Sequence, residues 1–117
     1  MLIINKPEKN FLKMNDQERF SNLLGLARRA GKLISGEQQV LQSIRSQKAK
    51  IVVASTDLGA ATQKKISDKC TTYEIPLISF MDRIEISQAI GQARTVVAIE
   101  DHGFAKALLK LNIEEGA

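Results

Sequence analysis

The run Ile51-Val52-Val53-Ala54-Ser55-Thr56-Asp57 decides the fold. Its first four residues are apolar without a break, and three of them are β-branched. A strand with one wet face alternates polar and apolar, so an unbroken run marks a strand covered on both sides. Upstream, Phe20, Leu23, Leu24 and Ala27 recur at helical spacing from Asp16, and Gly31 stops that helix. Gly25 lies inside it at a cost of about 1 kcal/mol relative to alanine, which predicts close packing there. Lys32-Leu33-Ile34-Ser35 suits a brief strand, and Gly36 opens a second helix with Val40, Leu41 and Ile44 as its buried stripe.

Downstream, Thr56 or Asp57 is placed to cap a third helix reaching about Tyr73, with Ala60, Ile66, Cys70 and Tyr73 on one side. Pro76 precedes a strand Leu77-Ile78-Ser79-Phe80. Asp82 with Glu85 forms a capping box for a fourth helix through Ile90, ended by Gly91. Thr95-Val96-Val97-Ala98-Ile99 is the last strand, and Phe104, Ala105, Leu108 and Leu109 set a final helix against it. The alternation is that of an α/β protein, a three-layer α/β/α sandwich around a four-stranded mixed sheet. Crossovers of 20 or so residues permit parallel pairing among the strands near 51, 77 and 95, while the strand near 33 is free to run either way. Residues 1–13 carry no usable period and read as a loose leader before a single domain over residues 14–117.

The 117 residues make one domain, and 44% hydrophobic with 26% charged residues excludes a largely disordered chain. No stretch approaches the roughly 18 apolar residues of a membrane span. One cysteine, Cys70, cannot pair internally, which suits a reducing compartment and a cytoplasmic location. Positive charge is concentrated in residues 1–50, with ten Lys/Arg against four Asp/Glu, whereas residues 51–117 hold seven against nine. Such an excess suits a nucleic-acid partner or simple solubility. At 4% aromatics without tryptophan, the chain is poor in exposed rings for stacking bases.

Most reactive motifs are missing. Neither GxGxxG nor GxxxxGK[ST] occurs, no GxSxG turn occurs, and a single histidine with a single cysteine cannot build a zinc site. No metal or cofactor is expected. One acidic group, Asp57 after the second strand and Glu100, Asp101 and His102 after the last, lies beyond the carboxyl ends of strands, where open α/β sheets place ligand sites. It would then suit a small metal-dependent enzyme. The plainer reading makes Asp57 and Asp101 helix caps.

A second candidate is the turn Ser35-Gly36-Glu37-Gln38-Gln39-Val40. There a strand feeds through glycine into a helix N-terminus, whose free N–H groups favour phosphate. Gln38 and Gln39 carry amides able to read base edges. Lys32 on one flank and Arg45, Lys48 and Lys50 beyond supply positive charge, whereas Glu37 would repel a phosphate. The alternative is an ordinary solvated helix start.

These residues, with Asn22-Leu-Leu-Gly-Leu-Ala-Arg-Arg-Ala-Gly-Lys-Leu, Ala54-Ser-Thr-Asp-Leu-Gly, Gln88-Ala-Ile-Gly, Val97-Ala-Ile and Gly103-Phe-Ala-Lys, resemble the bacterial branch of the ribosomal-protein family that binds kink-turn RNA. The resemblance spans about residues 16–111. It implies an α/β/α sandwich, no enzymatic activity, and RNA bound by two loops at one end of the sheet, on the ribosome or on a messenger. Carried across, Gly36 keeps the turn and Gln38 and Gln39 touch guanine edges. Lys32 and Ser35 flank the turn, and Gln92, Ala93, Arg94 and Thr95 border an unstacked nucleotide. Three departures stand out. Glu37 replaces the usual threonine, Gln42 stands where many relatives carry lysine, and the loop over 91–95 is short. Fewer cations weaken binding and flatten its salt dependence. They also leave open a protein-interaction module that has lost its RNA.

Overall fold

The computed structural model describes residues 15–111. The leader read over 1–13 lies outside them, as do residues 14 and 112–117. Nine elements follow in the order α1 (Asp16–Arg29), β1 (Leu33–Ser35), α2 (Glu37–Arg45), β2 (Ile51–Ala54), α3 (Ala60–Thr72), β3 (Leu77–Ile78), α4 (Arg83–Ile90), β4 (Val96–Ile99) and α5 (His102–Leu109). The strands form one sheet in the order β1-β4-β2-β3. β2 pairs parallel with β3, while β4 runs antiparallel to both β2 and β1. The sheet is therefore mixed, and the parallel pairing allowed for the last strand is not adopted. A crossover of that length accommodates either direction.

The two central strands show why the layers form. Alternate side chains leave opposite faces of a strand. Ile51, Val53, Val97 and Ile99 point to one side and meet Phe20, Leu24, Ile86, Ile90 and Leu108 from α1, α4 and α5. Val52, Ala54, Val96 and Ala98 point to the other and meet Val40, Ile44, Ile66 and Cys70 from α2 and α3. This is the sandwich that the uninterrupted apolar runs predict. Phe20 and Phe80 meet edge to face at 4.8 Å and 85°, a contact worth about 0.5–1.5 kcal/mol beyond the area it buries. Gly25 packs where expected: a methyl group there would sit 3.0 Å from the Ala89 carbonyl oxygen on α4.

Helix ends follow their side chains, with one correction. Asp82 and Glu85 form the reciprocal box that starts α4, and Asn15 with Glu18 does the same for α1. Asp101 caps α5 through the Phe104 N–H at 2.9 Å. Neither Thr56 nor Asp57 caps α3, which begins later behind Gly59 with no side-chain cap. Ala60 and Leu109, expected on buried faces, are exposed. Cys70 is buried in the α2–α3 layer, and that burial pushes its thiol up to about 11, leaving it protonated and unreactive at neutral pH.

Candidate nucleic-acid interface

Because β1 opposes β4, with Ser35 across from Val97, the end of β1 and the start of β4 share one sheet edge. The turn at Gly36 and the loop before Val96 are tied together there. The Gly36 N–H donates to the Val96 carbonyl at 3.0 Å. Gly36 has φ 99° and ψ 147°, a region essentially closed to residues with a Cβ. A Cβ at this position would also lie 2.7 Å from Gln39 Oε1. That glycine aims α2 outward, with no side-chain cap on its first turn and with both Gln38 and Gln39 exposed.

The opposing loop is braced from three elements. Gly91 ends α4 in the left-handed region, φ 76°, and starts the reversal. The Ser87 hydroxyl accepts from the Arg94 N–H at 3.0 Å and donates to the Arg94 carbonyl at 3.2 Å. The Arg94 guanidinium donates to Ser35 Oγ at 3.0 Å and to the Ala93 carbonyl at 2.7 Å, bridging loop and turn. Arg28 on α1 donates to Gln92 Oε1 at 3.2 Å. Gly36, Arg83, Ser87, Ala93, Arg94 and Thr95 then line a shallow hollow.

Asp57 serves this edge from β2. Its carboxylate accepts from the Arg83 N–H at 3.1 Å and from Arg83 Nε at 3.2 Å, while its carbonyl accepts from Arg83 Nη2 at 3.3 Å. Partial desolvation works to raise the Asp57 carboxyl, but the hydrogen bonds it accepts and the Arg83 charge outweigh it and hold the group below its ordinary range. Asp57 thus satisfies the first N–H of α4, beside the Asp82 cap, rather than capping α3.

Two sequence expectations are redrawn by the strand directions. Asp57 follows β2 at the Ala54–Val96 end of the sheet, whereas Glu100, Asp101 and His102 follow β4 at the Ile51–Ile99 end. Opposite ends of four-residue strands stand roughly 10 Å apart or more, so the acidic group does not form one site. Glu100 instead accepts from the Ser43 hydroxyl at 2.6 Å. Among the described residues, no three His, Cys, Asp or Glu side chains are grouped to hold a metal. Lys32, expected beside the Gly36 turn, precedes β1 at that same far end, where its carbonyl accepts from the Glu100 N–H.

The remaining expected residues cluster on or beside the edge. Ser35 is braced by Arg94, and Gln42 sits exposed one turn along α2 beside Arg45, 3.4 Å from its guanidinium. Glu37 is half-buried and turned to α3, accepting from Thr62 Oγ1 at 3.1 Å and Lys65 Nζ at 3.3 Å.

A family model described as the Ribosomal protein L7Ae/L30e/S12e/Gadd45 family matches residues 18–109. The chain belongs to this family. It is 45% identical over 96 residues to the RNA-binding protein YlxQ of Enterococcus faecium, covering 82% of this chain and 93% of that one. It is 44% identical over 90 residues to the RNA-binding protein YlxQ of Bacillus subtilis (strain 168), covering 76% and 90%. A solved structure of a protein of unknown function from Bacillus halodurans superposes with a TM-score of 0.76 at 38% identity, over 78% of this chain and 93% of that one. The Giardia lamblia 15.5kD RNA binding protein has the same fold, with a TM-score of 0.71 at 14% identity over 91% and 94%.

In this L7Ae-family chain, Arg83, Ser87 and Arg28 are the edge residues that sequence reading missed. Arg83 meets Asp57 across 26 positions, and Arg28 meets Gln92 across 64. No local spacing signals such pairs. Ser87 and Arg94, seven apart across a glycine, were nearer to view.

Proposed function

We propose that this chain is a non-enzymatic, cytoplasmic RNA-binding protein that recognises a kink-turn or a related ribosomal RNA motif and holds it in its bent form. The observation that carries this reading is the fixed edge itself. The Gly36 turn and the 91–95 loop are joined by Gly36 to Val96 and by Arg94 to Ser35, while Gln38 and Gln39 stay exposed above the joint. A surface braced before binding suits one shape of a flexible helix–bulge–helix and draws the population toward it. In this reading Gln38 and Gln39 contact guanine edges of tandem sheared G·A pairs, and Ala93 with Thr95 borders the unstacked base. Support also comes from the names of the two YlxQ relatives, both RNA-binding proteins.

The departure at Glu37 counts for less than the sequence suggested. Its carboxylate is engaged by Lys65 and Thr62 on α3, so much of its charge is answered before a phosphate arrives. Lys32, at the other end of β1, contributes only at longer range.

Titration against a simple kink-turn, an unbent duplex and ribosomal RNA tests the assignment. The kink-turn or ribosomal RNA binds more tightly than the duplex. Gln38→Ala or Gln39→Ala each weakens that binding by about 1–3 kcal/mol, the worth of a good base contact. Equal curves for both variants and wild type would move the site elsewhere.

A further inference from the structure

At the end of the sheet away from Gly36 lies a broad groove of about 920 Å³, between the close of α3 and one face of α5. Lys50, which leads into β2, Lys106 on α5 and Lys110 at its C-cap stand around it with His102. The sole carboxylate among its lining residues is that of Glu74. Lys50 Nζ donates to the Gln47 carbonyl at 3.3 Å. Lys106 and Lys110 meet no carboxylate among the described residues, whose ion pairs are Arg19–Asp16, Lys64–Asp68, Lys65–Glu37 and Arg83–Asp57. Besides these cations the groove is lined by apolar and aromatic side chains. Tyr73, the one tyrosine of the chain, lines it together with Ile75 and with Leu109, which is 49% exposed.

Two backbone details mark the same place. Gln47, φ 62°, and Glu74, φ 55°, are the non-glycine residues with positive φ among those described, and both line this groove. Each closes a helix in the position where glycine is least strained. Here the chain retains side chains instead, at the mouth of the groove.

We propose that this groove is a second RNA-binding surface, which takes a single-stranded segment with its phosphates along Lys50, Lys106 and Lys110 and a base against Tyr73. Cations together with a partly exposed aromatic ring suit sequence-tolerant single-strand binding, since every base has a π-face and every nucleotide a phosphate. The choice of RNA over an acidic peptide rests on the reading of the opposite edge as an RNA site. An acidic peptide would match the lysines but would leave the ring without a partner. Bound at both ends, one RNA would be held by shape at the Gly36 edge and by charge and stacking at this one.

The test uses the full chain and two probes read by fluorescence anisotropy, an oligouridylate of about twelve nucleotides and a kink-turn hairpin. Replacing the three lysines by glutamine lowers oligouridylate affinity by about tenfold or more. It also reduces the log–log salt slope by about 0.7 for each cation lost. Tyr73→Ala lowers affinity by about fivefold or more, while Tyr73→Phe keeps it and reports on stacking apart from folding. All of these variants bind the kink-turn hairpin within about twofold of wild type, and Gln38→Ala/Gln39→Ala shows the opposite pattern.

Oligouridylate that fails to bind wild type, binds the glutamine variant as well, or is displaced equally by polyglutamate would overturn the proposal. So would its loss in the Gln38→Ala/Gln39→Ala variant alone, which would assign single strands to the Gly36 edge. A kink-turn that never binds while oligouridylate does would contradict the reading of the Gly36 edge and leave the groove standing.

Discussion

The two ends of the sheet carry positive charge in different ways. At the Gly36 edge every arginine is committed: Arg94 to Ser35 and Ala93, Arg83 to Asp57, Arg28 to Gln92. At the far end Lys106 and Lys110 stand around an open groove and meet no carboxylate among the described residues. A cation held in a fork has lost its rotamer freedom before any ligand arrives, so it adds to shape. A cation on a free stem adds attraction that salt screens. In the proposed reading, one end of the molecule discriminates among folded RNAs and the other retains any strand that reaches it.

The contrast can be broken at its most constrained point. Gly36→Ala forces a side chain into φ 99° beside Gln39 and is expected to lower unfolding free energy by about 1–3 kcal/mol. Urea denaturation measures that loss, and parallel titrations show the kink-turn weakened while oligouridylate is retained. Equal loss of both ligands would mean that the ends are not independent.

Arg94→Ala sharpens the comparison without touching the glycine. It removes a charged hydrogen bond to Ser35 and the brace on the loop, so kink-turn affinity falls by about 1.5–3 kcal/mol, as for hydrogen bonds to charged groups. The salt slope for oligouridylate does not change. A variant that weakens both probes alike would show Arg94 acting as bulk charge.

The smallest effect is that of acid. Asp57 is exposed and its carboxyl lies below the ordinary 3.8, so its contribution is present above that value and is lost as pH falls through the lowered one. Wild type and Asp57→Asn should differ in stability at neutral pH and converge once Asp57 is protonated. A gap that persists at low pH would point to packing rather than charge.

Much of this architecture could be read from residue order, and the largest error has one source. The apolar runs at 51–54 and 96–99, the box Asp82/Glu85 and the stripe Val40, Leu41, Ile44 are local signals, and each yields its element. Strand direction is not local. Nothing in residues 95–99 states that β4 opposes β2, and on that point alone Asp57 was grouped with Glu100, Asp101 and His102 at ends that never meet. Lys32 was misjudged differently, since three residues of strand separate it from the turn that it was thought to flank.

Charge summed by halves misled in the same manner. The acidic half contributes Lys106 and Lys110, and the groove draws on residues 50, 73, 102, 106 and 110, which no run of sequence places together. The edge at Gly36 was legible because its glutamines are adjacent and its glycine precedes a helix. Its braces Arg83 and Arg28 were not, because their partners are far away in the chain.

The most direct test of the account is a kink-turn RNA labelled with a fluorescence donor and acceptor on its two arms, titrated with the protein without added divalent ions. The account predicts that saturating wild type brings the arms together, that Gln38→Ala/Gln39→Ala needs a markedly higher concentration to do so, and that an unbent duplex shows no change. An arm distance that stays constant while the RNA is bound would contradict it.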